Sequence, residues 1–207
     1  MSVYFKPTVP RKQNPQKPVA NNRVRIIGGE WRSRMIEFPD ADELRPTANR
    51  VRETLFNWLG QRLHDKRCLD LFAGSGALGF EAASRGAPDV AMVELDAQAM
   101  KGLKTNQAIL KAHQCHLFPR SANDFLAANR EKFDIIFLDP PFASGLMVTI
   151  LNQLDTHLAP DGVVYAEWRL PLAEVIASIA QPAWQVMKSG KAGAVHFALL
   201  SIVKDET

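Results

Sequence analysis

The residues best suited to chemistry are Asp139-Pro140-Pro141-Phe142, which follow the apolar run Phe133-Asp134-Ile135-Ile136-Phe137-Leu138. The run reads as a buried strand. Two consecutive prolines can neither extend a sheet nor sit inside a helix, so they make a stiff, extended turn. That turn fixes the Asp139 carboxylate, the Pro140 carbonyl and the Phe142 ring relative to one another. Such a set suits an exocyclic amine on a nucleobase, whose lone pair is delocalised into the ring. Two acceptors that take its N–H bonds hold the nitrogen so that the lone pair can meet an electrophile. The carboxylate offsets the positive charge that develops there. The aromatic ring stacks on the base, a contact worth roughly 1–3 kcal/mol.

A second stretch, Leu69-Asp70-Leu71-Phe72-Ala73-Gly74-Ser75-Gly76-Ala77-Leu78-Gly79, reads as strand, tight turn and helix. Glycines allow positive φ and leave no Cβ between the turn and a ligand. The free N–H groups of the following helix face the same space. Gly74-x-Gly76-x-x-Gly79 spells the dinucleotide fingerprint. Asp70, however, lies inside the strand, where a carboxylate suits a cationic ligand better than a pyrophosphate. Glu94 ends the next apolar run, 24 residues after Asp70, and suits a ribose diol. An acid on the first strand, a glycine turn and an acid ending the second strand resemble the S-adenosylmethionine pocket of Rossmann-like methyltransferases. The candidate cofactor residues are Asp70, Phe72, Ala73, Gly74, Ser75, Gly76, Glu94 and Leu95, with Ser121 and Ala122 after the third strand for the adenine.

Positioning these residues requires alternating β and α units. The patterning predicts strand 67–73 and helix 77–85, strand 89–94 and helix 97–111, and strand 115–119 and helix 122–130. Strand 133–138 follows, then helix 145–158, strand 162–167, a helix near 171–180, and last strands near 183–188 and 194–203 around a Gly190–Gly193 break. The expected fold class is α/β: a Rossmann-like, seven-stranded, mostly parallel sheet with an antiparallel edge. Ligands on such sheets bind beyond the carboxyl ends of the strands, where both motifs fall.

The chain of 207 residues has room for one full core. Residues 1–66 hold 13 Lys and Arg against 7 Asp and Glu, and residues 67–207 hold 12 against 15. A basic front on a near-neutral body points to a polyanion, with nucleic acid foremost. Residues 1–22 carry four prolines among Lys, Arg, Gln and Asn and read as a flexible basic arm. Residues 23–46 read as a basic hairpin extension broken at Gly28-Gly29, and residues 47–207 as the catalytic domain. In the hairpin, alternation sets arginines against apolar groups, with an aromatic at the turn, which suits an RNA backbone. Thr47 or Asn49 would cap a helix to about Leu63, whose first turn carries Arg50 and Arg52 against the positive helix end. The RNA-facing candidates are Arg25, Trp31, Arg32, Arg34, Arg45, Arg50 and Arg52. Cys68 and Cys115 read as reduced core thiols, and no metal site is expected. No run approaches a membrane span, so a cytoplasmic protein is expected.

Arg25-Ile26-Ile27-Gly28-Gly29-Glu30-Trp31-Arg32, Leu44-Arg45-Pro46-Thr47 and Arg50-Val51-Arg52-Glu53-Thr54-Leu55-Phe56-Asn57-Trp58-Leu59, together with the two motifs above, resemble the RsmD family. The resemblance runs from about residue 23 to 203. It implies methyl transfer from S-adenosylmethionine to guanine N2 in small-subunit (16S) ribosomal RNA, free or in an assembling subunit, by a monomer. It also implies cofactor contact at Asp70, Gly74, Gly76 and Glu94, the guanine at Asp139 to Phe142, and RNA at the hairpin and Arg45–Arg52. The residues alone leave other readings open. These are methylation of adenine N6 or of a glutamine side chain, an NAD-dependent oxidoreductase, and a non-catalytic assembly factor.

Overall fold

A computed structural model describes residues 21–39, 49–141, 145–179 and 183–203. Seven strands form one sheet: β3 (Arg67–Asp70), β4 (Asp89–Glu94), β5 (Cys115–Pro119), β6 (Phe133–Leu138), β7 (Leu158–Trp168), β8 (Trp184–Ala192) and β9 (Val195–Ile202). Their order is β5-β4-β3-β6-β7-β9-β8. The first five strands run parallel, and β9 pairs antiparallel with both β7 and β8. This is the expected Rossmann-like architecture with an antiparallel edge. A separate two-stranded hairpin joins β1 (Asn21–Arg25) and β2 (Met35–Pro39).

Side-chain alternation splits the core into two layers. Cys68, Met92, Ile135, Phe137 and Tyr165 face α1 (Asn49–Leu59), α2 (Ala77–Ser84) and α3 (Ala97–Leu110). Leu69, Val93, Ile136, Leu138 and Val164 face α4 (Ala122–Ala128), α5 (Leu146–Leu151) and α6 (Leu172–Ile176). The hairpin shares the first layer, because Val24, Ile26, Trp31, Ile36 and Phe38 pack into that same core. Both cysteines are free and buried. Burial pushes the Cys115 thiol up to about 12 and Cys68 higher still, so both stay protonated.

Several element bounds differ from expectation. The segment joining β1 to β2 spans residues 26–34 rather than a tight Gly-Gly turn. It is anchored on α2: Glu30 N–H donates to the Ser84 carbonyl at 2.7 Å, and Trp31 N–H to Ser84 Oγ at 2.9 Å. The helix expected over 145–158 stops at Leu151, and a short 3-10 turn at Asp155–His157 follows. Strand β7 starts early, at Leu158, and passes through Asp161 with φ 63°. Strand β8 runs on through Gly190 to Ala192, with the turn at Gly193. Among the described residues no helix is long and apolar enough to cross a membrane.

Candidate active site at the carboxyl rim of the sheet

The rim is built from the ends of β3, β4, β6 and β7. Beyond β3 the chain turns through Gly74 (φ 50°) and Gly76 (φ 80°), both left-handed, before α2 begins. A Cβ on Gly76 would strike the Phe80 ring at 2.6 Å, so packing as well as φ demands glycine. The turn is pinned by Ala73 N–H on the Val93 carbonyl at 2.9 Å and Gly76 N–H on the Ala73 carbonyl at 2.6 Å. Ser75 and Ala73 are buried, whereas Phe72 and Gly74 are partly open.

Two carboxylates brace this turn. Glu94 accepts Gly74 N–H at 2.8 Å on one oxygen and Asp96 N–H at 2.7 Å on the other. Each oxygen keeps a lone pair, so the side chain fixes the loop and still offers acceptors at the rim. Leu95, beside it, is exposed. Asp70 is buried and accepts Gly79 N–H at 2.9 Å. Gly76, at the cap position of α2, has no side chain to supply, so Asp70 satisfies that helix end from the neighbouring strand. Burial pushes its carboxyl up to about 7, against the Gly79 bond and with some help from Glu94. A buried acid held there favours a cation. The donor set thus fits a ligand with a positive centre and a sugar diol.

Asp139 follows the last residue of β6, and Pro140 is buried behind it. Burial, then Glu167, then Asp70, push the Asp139 carboxyl well above the usual carboxylate range. Phe142 lies outside the described residues, as does Arg45. Sequence reasoning did not single out Glu167 and Tyr165. Both are buried, and the Tyr165 hydroxyl donates to Glu167 Oε1 at 2.7 Å. The available signal was the alternation Tyr165-x-Glu167 in the otherwise apolar stretch 162–168. After the third strand, Ser121 is the cap of α4: its Oγ accepts Asp124 N–H at 3.1 Å and pairs with Asp124 Oδ2 at 2.7 Å. Ala122 beside it is buried.

The basic candidates divide. Arg25, Arg32 and Arg50 are exposed. Arg34 is exposed too, but its guanidinium donates to the Ile109 carbonyl at 2.9 Å, near the end of α3. Two candidates must be corrected, because their side chains are spent inside the fold. Trp31 is buried in the core beneath the hairpin, since its aromatic body fills the layer under α2. Arg52 is wholly buried on the inner side of α1, where it meets Glu81. Of the two cap candidates for α1, Thr47 lies outside the described residues, and Asn49 is the first residue of the helix, its Oδ1 accepting from Arg52 at 2.7 Å.

Fold and rim together define a Rossmann-like methyltransferase. Residues 24–201 match the family described as Conserved hypothetical protein 95, and the chain belongs to this family, the RsmD family. Ribosomal RNA small subunit methyltransferase D of Escherichia coli (strain K12) is 39% identical over 189 residues, covering 84% of this chain and 96% of that protein. Its Haemophilus influenzae counterpart is 41% identical over 192 residues, covering 89% and 96%. The solved yhhF chain of Escherichia coli superposes with a TM-score of 0.77 at 38% identity, over 87% of this chain and 98% of that one. The fold is also shared, at 21% identity and a TM-score of 0.67, with a T. thermophilus 16S rRNA N2 G1207 methyltransferase (RsmC) solved with AdoMet and guanosine. That match covers 94% of this chain and 53% of the other.

Proposed function

We propose that this protein transfers a methyl group from S-adenosylmethionine to the exocyclic N2 of a guanine in small-subunit ribosomal RNA, as a monomer in the cytoplasm. The observation that carries the reading is the Asp139-Pro140-Pro141 turn, which leaves β6 one strand away from the glycine turn and Asp70. Both ligands would therefore meet at one rim. The names of the similar proteins support ribosomal RNA as the substrate class.

Asp70, Glu94 and the 73–76 turn would hold the cofactor, whose sulfonium supplies an electrophilic methyl group. Asp139 and the Pro140 carbonyl accept the two N–H bonds of the amine, which turns its lone pair out of conjugation with the ring. As nitrogen becomes cationic, the Asp139 carboxylate stabilises it across a short distance in a dry site, then takes the surplus proton. Phe142 stacks on the base. Arg25, Arg32, Arg34, Arg45 and Arg50 hold phosphates of the surrounding RNA, sequence-independently.

The test is labelled methyl transfer to small subunits purified from cells without this enzyme, run beside free ribosomal RNA and duplex DNA, with the product nucleoside identified by mass. N2-methylguanosine from the subunits supports the reading. Methyladenine or labelled protein would overturn the substrate and keep the pocket chemistry. Asp139→Ala is expected to abolish transfer while cofactor binding survives; loss of both would make Asp139 a cofactor ligand instead.

A further inference from the structure

The sheet carries a second carboxylate beside Asp139. Strands β6 and β7 pair in parallel up to Leu138 and Ala166, so the next step along each sets Asp139 beside Glu167. On its other side Glu167 pairs with Phe197, which pairs with Gly190. Alternation puts Asp139 and Glu167 on the sheet face shared by Phe137 and Tyr165. Glu167 is only 6% exposed. Tyr165 is enclosed and its hydroxyl holds one Glu167 oxygen. The ring of Phe197, tilted against Trp58 at 5.4 Å and Tyr165 at 6.4 Å, forms a stiff apolar wall next to it.

We propose that Glu167, braced by Tyr165, accepts the N1–H of the target guanine and thereby sets guanine apart from bases whose N1 is a bare acceptor. The proposal rests on the reading of this rim as a guanine-N2 site and names the determinant of its base specificity. Guanine presents N1–H and the 2-amino group side by side on one edge. Two neighbouring carboxylates match that pattern, Asp139 on the amine and Glu167 on N1–H. A base with an unprotonated N1 would point a lone pair at the Glu167 oxygen, and rejection of this kind is steep in a buried site. Glu167 is, after burial, the largest influence raising the Asp139 carboxyl, which puts the two acids within electrostatic reach of one another, as the strand register does.

The decisive probe is 2-aminopurine, which keeps the 2-amino group and has a bare N1. Small subunits are reconstituted with RNA carrying guanine or 2-aminopurine at the position methylated in the experiment above. The full-length enzyme is compared with Glu167→Gln, whose amide can donate to N1. Wild type is expected to prefer guanine at least a hundredfold in kcat/KM, and Glu167→Gln to narrow that preference at least tenfold with cofactor binding kept within twofold. An unchanged preference in a folded, cofactor-binding variant would overturn the proposal, because a purely structural role lowers both substrates alike. Should Glu167→Gln not fold, Tyr165→Phe decides. It keeps the carboxylate without its brace, and its preference must narrow at least threefold or the proposal fails. Wild type giving no N2-methylguanosine would overturn the guanine reading itself, a different result from an unchanged ratio.

Discussion

The Arg52 guanidinium and the Glu81 carboxylate, both wholly buried, meet at 3.5 Å. Glu81 is also held by Arg85 at 2.8 Å and by the Ile27 N–H at 2.8 Å, while Arg52 donates to the Arg25 carbonyl at 2.8 Å. One carboxylate in α2 thus binds α1 and the hairpin together. Among the described residues Arg52 Nε finds no acceptor. Burial lowers the Arg52 pKa and Glu81 opposes the shift. Arg52→Ala leaves Glu81 with half its compensation and is expected to cost about 3–5 kcal/mol of unfolding free energy, read by urea titration. A role in RNA contact would instead leave stability unchanged.

Arg50, two residues earlier, is exposed. Its change to alanine is expected to move stability by less than about 0.5 kcal/mol. Binding to ribosomal RNA should weaken, with the slope of log affinity against log salt falling by about 1. Filter binding across a salt series reads both. A loss of affinity with no change of slope would remove Arg50 from the phosphate contacts.

Asp70 makes stability and cofactor binding depend on pH in opposite senses. Its folded pKa of about 7 lies above its unfolded value, so between about pH 4 and 7 the folded state holds the extra proton. Stability of the unliganded protein falls as pH rises through that window, and Asp139 acts in the same direction. A cationic ligand favours the ionised form, so affinity for S-adenosylmethionine rises by up to about tenfold per pH unit below 7 and then levels. Asp70→Asn keeps an acceptor for Gly79 N–H. It should flatten both profiles, in thermal melts and in calorimetric titration, and weaken the cofactor.

Gly29 has φ +75°, and a Cβ there would lie 1.8 Å from the Ser84 carbonyl oxygen. Gly29→Ala must push the loop off α2 and break the Glu30 bond to Ser84. A loss of more than about 1 kcal/mol is expected, together with weaker RNA binding, since the same loop carries Arg32. Unchanged stability would mean that the hairpin seats on α2 more loosely than these contacts describe.

The sequence displayed some parts of this fold plainly. Strands β4, β5 and β6 fall at the expected residues, because each apolar run is bounded by polar ones. The helix after Gly145 ends earlier than its pattern predicts, because the apolar spacing continues through Leu154 and Leu158, residues that are buried after the helix has ended. Gly190 looked like a break, yet β8 passes through it because the Phe197 ring occupies the space a side chain would need. Arg52 reads in the sequence as an RNA-facing cation, yet it lies three and four residues before Leu55 and Phe56 on the buried stripe of α1. Its partner is 29 residues away, beyond any local pattern. The alternation Tyr165-x-Glu167 marks a polar face on β7, but its place beside Asp139 follows from strand register, which no local pattern contains.

The seating of the hairpin also orders events on the ribosome that makes this chain. Residues 21–39 emerge early, but their partners come much later: Glu81 is 54 residues beyond Ile27, Ser84 is 53 beyond Trp31, and Asn106 is 69 beyond Glu37. Until α2 and α3 have been synthesised, Val24, Ile26, Trp31, Ile36 and Phe38 have only α1, of the elements in their layer, to pack against. At elongation rates of about 5–20 residues per second that interval lasts several seconds. A nascent chain that stalls before Asn106 therefore displays an incompletely covered apolar hairpin, a natural grip for chaperones, and its basic surface takes shape only after β3 and β4, the first two strands of the sheet, are made.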